Sequence, residues 1–190
     1  MTSRAAEDIE LLKRYLGGDV AAFDELVRAH EDRVFGICLR MMQDRDAALD
    51  AVQETFITVF RKADRYQAKA AFSTWLYRVA VNTCYDQLRK AKRRRTDPLP
   101  ETLDPADPRS DDPIRAAELR PDIERALAAL PDEFRSAVVL VDIEGLALER
   151  TAEILDVPTG TVKSRVFRGR KLLAESLGNL RAGSQHPRDE

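Results

Sequence analysis

Lys163, Ser164, Phe167, Arg168 and Lys171 recur three and four residues apart within TGTVKSRVFRGRKLL, a spacing that gathers them on one side of a helix. Cations, a hydroxyl and a lone aromatic ring on one helical face suit duplex DNA. Lysine and arginine meet phosphates, serine, lysine and arginine reach base edges, and a phenylalanine lies against a thymine methyl group. A plain three-helix core with a solvated basic face would carry the same pattern. A second constellation runs from about Phe72 to Arg95, FSTWLYRVAVNTCYDQLRKAKRRR. There Trp75, Arg78, Asn82, Asp86 and Arg89 share the side opposite Leu76, Val79, Ala80, Thr83 and Leu88. Aromatic rings beside a basic helix suit single-stranded nucleic acid, because bases stack on the rings while cations hold the backbone. Trp75 and Tyr77 are equally consistent with a core position. A third group, Asp50, Gln53 and Glu54, forms an acidic and amide patch that by itself reads as a solvated face.

The elements that must position these side chains follow from apolar periodicity. Around Leu130 to Leu173 the pattern predicts three short helices. The first, about Asp132 to Ile143, carries Phe134, Val138 and Val141 on a stripe and stops at Glu144-Gly145, where glycine can adopt the left-handed conformation that closes a helix. The second, about Leu148 to Leu155, puts Leu148, Ala152 and Leu155 on one side. Asp156-Val157-Pro158 then breaks the pattern, and Thr159 or Thr161 can cap the third helix. In that helix Val162, Val166 and Leu173 face inward, with Gly169 permitting close approach. A short helix, a tight turn and a helix with a basic outer face make a helix-turn-helix arrangement.

Upstream, a helix from about Ala6 to Leu16 ends at Gly17-Gly18, and Asp19 caps a long helix reaching Met42. Phe23, Leu26, Val27, His30, Val34, Ile37 and Leu39 trace its apolar face. After a turn at Asp44-Arg45-Asp46, a helix from Ala47 to about Ala63 is expected to bury Val52, Phe56, Val59 and Phe60. A loop, Gln67 to Ala71, precedes the helix that starts near Phe72. Thr96 to Pro121 holds six of the nine prolines and many aspartates, so it is expected to be an extended linker with at most a short helix near Ile114 to Leu119. A short helix from Pro121 to Leu130 leads into the helix-turn-helix. The tail from residue 181 is expected to be disordered. With no convincing strand pattern, the fold class is all-α: two small helical domains, 1–95 and 122–180, joined by a flexible acidic linker, 96–121.

The net charge of −2 conceals a segregation. Residues 65–95 carry nine basic and one acidic side chain, and residues 157–190 seven and three. The intervening 96–124 carries three basic and nine acidic side chains. Two basic blocks separated by an acidic stretch imply two nucleic-acid contacts on one chain. Cys38 and Cys84 sit in apolar helical surroundings far apart in sequence, which predicts buried structural thiols. His30 and His186 have no cysteine or carboxylate neighbour at ligand spacing, so no metal and no cofactor is expected. No glycine-rich phosphate loop and no nucleophile–base pairing is present, so no catalytic residues are assigned and an enzyme is not expected. No apolar run approaches a membrane span, and MTSRAAEDIELL lacks a signal-peptide core; a cytoplasmic protein without membrane insertion is expected.

Three segments in this order, DAVQETF (Asp50 to Phe56), FSTWLYRVAVNTCYDQLR (Phe72 to Arg89) and LPDEFRSAVVL…EGLALERTAEILDVPTGTVKSRVFRGRKLL, resemble the extracytoplasmic-function class of bacterial sigma factors, the minimal two-domain members of the sigma-70 family. The resemblance covers most of the chain outside the linker. It implies a promoter-specificity subunit that binds core RNA polymerase, touching the β′ clamp helices and the β flap, and directs initiation at promoters with particular −10 and −35 elements. A stand-alone helix-turn-helix regulator is the competing reading, but would not need the first two segments.

Residue by residue, the resemblance implies that Asp50, Gln53, Glu54 and Phe56 dock on the β′ clamp helices. Tyr66 and the loop after it, with Trp75, Arg78, Asn82 and Arg89, would capture the melted −10 element, and the basic run Lys90 to Arg95 would hold phosphates. Lys163, Ser164, Phe167, Arg168 and Lys171 would face the −35 element in the major groove. The acidic linker would thread the polymerase channel, and an anti-sigma factor is implied as a further partner. Two departures stand out. The loop Gln67-Ala68-Lys69-Ala70-Ala71 lacks the glycine and acidic residue common there in the family, and Asp156 replaces a common glycine at the end of the second helix.

Overall fold

The computed structural model describes residues 4–96 and 121–183, and within them every regular element is helical. The expected linker from 97 to 120, with its short helix near 114–119, lies outside the described residues, as do residues 184–190 of the expected tail. Helix α1 spans Arg4–Leu16, α2 Val20–Met42 and α3 Arg45–Lys62; one 3₁₀ turn, Ala63–Arg65, leads to the loop before α4, Phe72–Thr96. The second half contains α5, Pro121–Ala129; α6, Asp132–Val138, which continues as a single π-helical turn, Val139–Ile143; α7, Leu148–Leu155; and α8, Thr159–Gly183. Helix α8 therefore runs three residues into the expected tail.

Local chemistry fixes the boundaries. Asp44 accepts a hydrogen bond from the Ala47 N–H at 2.8 Å, so α3 starts two residues earlier than expected, with Asp44 as its cap. Gly18 and Gly145 both take positive φ, 103° and 65°, at the turns where the sequence calls for that freedom. The expected single helix from Asp132 to Ile143 widens at its end, because the Glu144 N–H bonds to the Val139 carbonyl at 2.9 Å, five residues back. Gly169 is needed for close packing: a Cβ there would stand 2.6 Å from Val138 Cγ2.

Helices α1 to α4 bury Leu26, Val34, Ile37, Met41, Val59, Phe72, Leu76 and Tyr77 among others. Tyr77 is thus core, while Trp75 is half-buried at its edge. Phe60 departs from expectation. It is substantially exposed because only part of its ring is covered, by Phe23 at 5.2 Å and Tyr15 at 5.3 Å. Folding brings His30 a carboxylate partner 22 residues away, Asp8, at 2.9 Å. Cys38 and Cys84 are buried free thiols, as expected. The hydrogen bond from Cys84, then burial, push the Cys38 thiol far above its ordinary range.

The two halves do not stand apart. Leu140, Leu146 and Ile154 of the second half belong to the same apolar cluster as the first-half core. Arg135, only 7% exposed, spans the joint. It donates to the carbonyls of Leu127, Ala128 and Leu130 at the end of α5 and of Met41 at the end of α2, all at 2.8–2.9 Å. Helix C-termini leave such carbonyls without intrahelical partners, and a guanidinium, with five N–H donors, can satisfy several at once. Burial pushes this guanidinium down from its ordinary value, with Asp132 acting the other way.

Candidate nucleic-acid and polymerase interfaces

Asp50, Gln53 and Glu54 are exposed on α3, and Gln87 of α4 donates to Glu54 Oε2 at 3.1 Å. Phe56 does not join them as an exposed ring; it is half-buried and packs on the core. Leu49, Ile57 and Phe60, exposed on the same helix, extend the patch with apolar surface. Sequence reasoning missed Leu49 and Ile57 and placed Phe60 inside, because an apolar stripe alone does not say which part of it finds a partner.

Tyr66, Trp75 and Arg78 come together. They line a cavity of about 370 Å³ with Arg65, the loop Gln67–Ala70, Thr74 and Glu153. Tyr66 packs on Trp75 at 5.6 Å and edge-on to Phe72 at 5.8 Å, and its hydroxyl donates to the Ala70 carbonyl at 2.6 Å, which ties down the loop. Burial, then the charge of Asp8, raise the Tyr66 phenol above its ordinary value. Ala68 sits at φ 54°, a conformation that glycine would adopt without penalty. Asn82 and Arg89 lie outside the cavity. Asn82 is exposed further along α4, and Arg89 pairs with Asp86 at 3.1 Å in a basic groove with Lys90, Lys92 and Arg93.

The third group is presented as its spacing predicts. Val162 and Val166 are buried and Leu173 packs on Leu127, Leu130 and Val138. Lys163, Ser164, Arg168 and Lys171 are exposed, and Phe167 is 72% exposed. Ser164 Oγ donates to the Thr161 carbonyl at 2.9 Å. Neighbouring arginines face other work: Arg170 grips Asp142 through bonds of 3.0 and 2.5 Å, and Arg165 lies 3.4 Å from Glu133. Asp156, at the turn before α8, takes φ 55° and ψ 47°, the left-handed geometry in which a glycine is at ease.

Among the described residues no group of three potential ligands could hold a metal ion, and no helix is long and apolar enough to cross a membrane.

A helical domain carrying an aromatic and cationic cavity, followed by a helix-turn-helix with an exposed basic face, makes an all-helical protein whose surfaces suit nucleic acid. Residues 26–94 match the family model for sigma-70 region 2, and residues 120–173 that for sigma-70 region 4. The chain is 40% identical over 178 residues to the extracytoplasmic-function sigma factor SigM of Mycobacterium tuberculosis, covering 93% of this chain and 87% of that one. It is 45% identical over 166 residues to SigE of Mycolicibacterium smegmatis, covering 84% of this chain and 64% of that longer relative. Among solved structures it resembles the sigma factor RpoE of Bartonella quintana in complex with the anti-sigma factor NepR, with a TM-score of 0.66 at 26% identity over 82% of this chain and 96% of that one. The chain belongs to the extracytoplasmic-function class of the sigma-70 family.

Proposed function

We propose that this protein is a promoter-specificity subunit, without catalysis of its own, that joins core RNA polymerase in the cytoplasm and directs initiation at promoters with particular −10 and −35 elements. The observation that carries the reading is the convergence of Tyr66, Trp75 and Arg78 on one cavity in region 2, on the same chain as the exposed basic face of α8. Asp50, Gln53 and Glu54 dock on the polymerase β′ clamp helices, with Leu49, Ile57 and Phe60 as the apolar part of that contact and Phe56 supporting it from beneath. Tyr66 and Trp75 stack on unpaired −10 bases, Arg78 and Asn82 meet their polar edges, and Arg89 with its basic neighbours holds phosphates. Lys163, Ser164, Phe167, Arg168 and Lys171 read the −35 duplex. Residues 1–95 and 122–180 act as the two functional domains, region 4 reaching the β flap. The anti-sigma factor bound to the Bartonella relative supports a similar partner here.

The test is run-off transcription with purified core polymerase on fragmented genomic DNA, with start sites read by sequencing. The protein is expected to produce discrete starts that share two upstream elements. Asp50→Lys with Gln53→Ala should abolish those starts and co-elution with core enzyme. Tight binding of the free protein to duplex sites as a dimer, with no polymerase requirement, would point to a stand-alone regulator instead.

A further inference from the structure

Helix α1 lies upstream of the segment matched by region 2, which begins at residue 26, yet it sends a carboxylate into the core of that domain. Asp8 is 1% exposed and His30, on α2, is 4% exposed. His30 Nε2 and Asp8 Oδ1 meet at 2.9 Å. Arg4 closes the solvent side: its Nε stands 3.6 Å from the same oxygen, and its Nη2 donates to the Ala29 carbonyl at 3.1 Å. The other carboxylate oxygen, Oδ2, is buried with no hydrogen-bond partner among the described residues. Buried polar groups destabilise a fold unless they are paired. Apolar residues in place of a buried ion pair are often neutral or stabilising. Stability alone therefore does not account for the pair.

What the pair touches is the back of the aromatic wall that lines the cavity. The His30 ring stands 5.7 Å from Phe72, tilted by 54°, and edge-on to Tyr77 at 6.4 Å. Phe72, 1% exposed, is the first residue of α4 and packs in turn on Tyr66 and Trp75, each at 5.8 Å. Asp8 to His30, His30 to Phe72, and Phe72 to the two rings of the cavity form one unbroken chain of contacts. Asp8 also acts on Tyr66 through its charge, which adds to burial in raising the phenol. A hydrogen bond has a direction, whereas apolar contact has none. The bond to Asp8 fixes the plane of the imidazole and so the face that it offers to Phe72.

We infer that Asp8 and His30 are positioning residues for −10 capture: the pair sets the imidazole against Phe72 and thereby holds Tyr66 and Trp75 where an unpaired base stacks. The inference rests on the −10 assignment made above. Neither residue touches nucleic acid; both act through Phe72. Stacking depends on overlap between base and ring, and groups that bind must be locked from behind by residues whose own geometry is fixed. Docking on polymerase through α3 and contact with the −35 duplex through α8 use other surfaces. Loss of the pair therefore slows strand capture and leaves assembly and closed-complex binding intact. Helix α1 becomes a working part of the reader and not only a cover on its core.

The experiment uses holoenzyme assembled from core polymerase and the full chain, on a promoter recovered by run-off transcription. Time-resolved permanganate footprinting gives the rate of strand opening, gel retardation in the cold gives closed-complex affinity, and thermal melts give stability. Asp8→Leu with His30→Leu replaces the pair by apolar side chains, Asp8→Asn keeps an acceptor for the imidazole, and His30→Gln keeps a donor for Asp8 but no ring against Phe72. The leucine double variant is expected to melt no lower than the parent yet to open the promoter about tenfold or more slowly, with closed-complex affinity unchanged. Asp8→Asn should keep most of the parent rate. His30→Gln should be as slow as the double variant and replaces it if the leucines prevent folding. Parental opening by the folded double variant or by His30→Gln overturns the inference, as does a loss that follows thermal stability across the series. Tyr66→Ala separates the two claims: slow opening there beside parental opening in the pair variants sinks the positioning role alone, whereas normal opening in Tyr66→Ala sinks the −10 assignment and the inference with it.

Discussion

Arg78 Nε lies 2.8 Å from the carbonyl oxygen of Glu153, and Nη2 donates to the same oxygen. A side chain assigned to promoter DNA is thus held by the main chain of α7, the helix that precedes α8. The acceptor is a neutral dipole. A phosphate offers the same guanidinium a full charge and a bidentate geometry, and charge-assisted hydrogen bonds are roughly twice as strong as neutral ones. The Glu153 contact occupies Arg78 without outbidding nucleic acid for it.

Two residues on the outer face of α8 should separate by the kind of loss they cause. Arg168→Ala should cost about 1–3 kcal/mol and relax specificity at one −35 position. Lys171→Ala should weaken all sequences alike and reduce the salt slope by about one. Holoenzyme binding to a panel of −35 variants at several salt concentrations checks both, and the reverse pattern would exchange their roles.

Gly169→Ala should destabilise region 4 by about 1–3 kcal/mol, the usual cost of overpacking, because the new methyl would press on Val138 Cγ2 and approach the Phe134 carbonyl at 3.4 Å. Gly178→Ala, on the same helix with nothing within 4 Å, should instead gain up to about 1 kcal/mol from helix propensity. Denaturant melts of the two variants are the comparison. Equal effects would mean that the α6–α8 contact gives way freely.

Asp156→Gly should raise stability by about 1 kcal/mol by removing a left-handed non-glycine residue, which corresponds to a melting temperature about 2–4 °C higher. Its ion pair with Arg78, 3.7 Å long and largely exposed, contributes too little to reverse the sign. Calorimetry decides; a lower melting temperature would show that the pair outweighs the strain.

Arg135→Met should cost about 3 kcal/mol or more, since each buried carbonyl left without a donor costs about 1–3 kcal/mol. Arg135→Lys should recover only part, because an ammonium lacks the planar fork that reaches four carbonyls. Because one of those carbonyls belongs to Met41 on α2, the Met variant should also separate the unfolding of the two halves. Coincident transitions by circular dichroism and by hydrogen exchange would contradict that role.

The sequence was most legible where structure is local. Gly145, Gly169, the Val162–Val166 stripe and the outer face of α8 all follow from spacing and backbone preference within a few residues. Partnerships across the chain were not legible. Arg33 and Glu144 are 111 residues apart and Arg150 and Thr74 are 76 apart, and nothing periodic links an arginine to a distant carbonyl or hydroxyl. His30 and Asp8 were missed for the same reason, their pairing depending on how α1 lies on α2. The residues assigned to the −10 element were half legible: spacing gathered Trp75, Arg78 and Asn82 on one side of α4 and the family resemblance added Tyr66, but only the fold shows that Asn82 lies outside the cavity that the other three share.

Trp75 is the only tryptophan in the chain. Its indole packs 5.6 Å from Tyr66 and 5.8 Å from Phe72 and forms part of the wall shared with Arg78 and Glu153. Indole emission shifts to longer wavelength as water and charge approach the ring, and tyrosine at this range passes its excitation on to it. The protein therefore carries its own optical gauge at the cavity where its two halves meet. Stopped-flow emission from the unlabelled protein can report any change at that wall on polymerase whose tryptophans have been replaced.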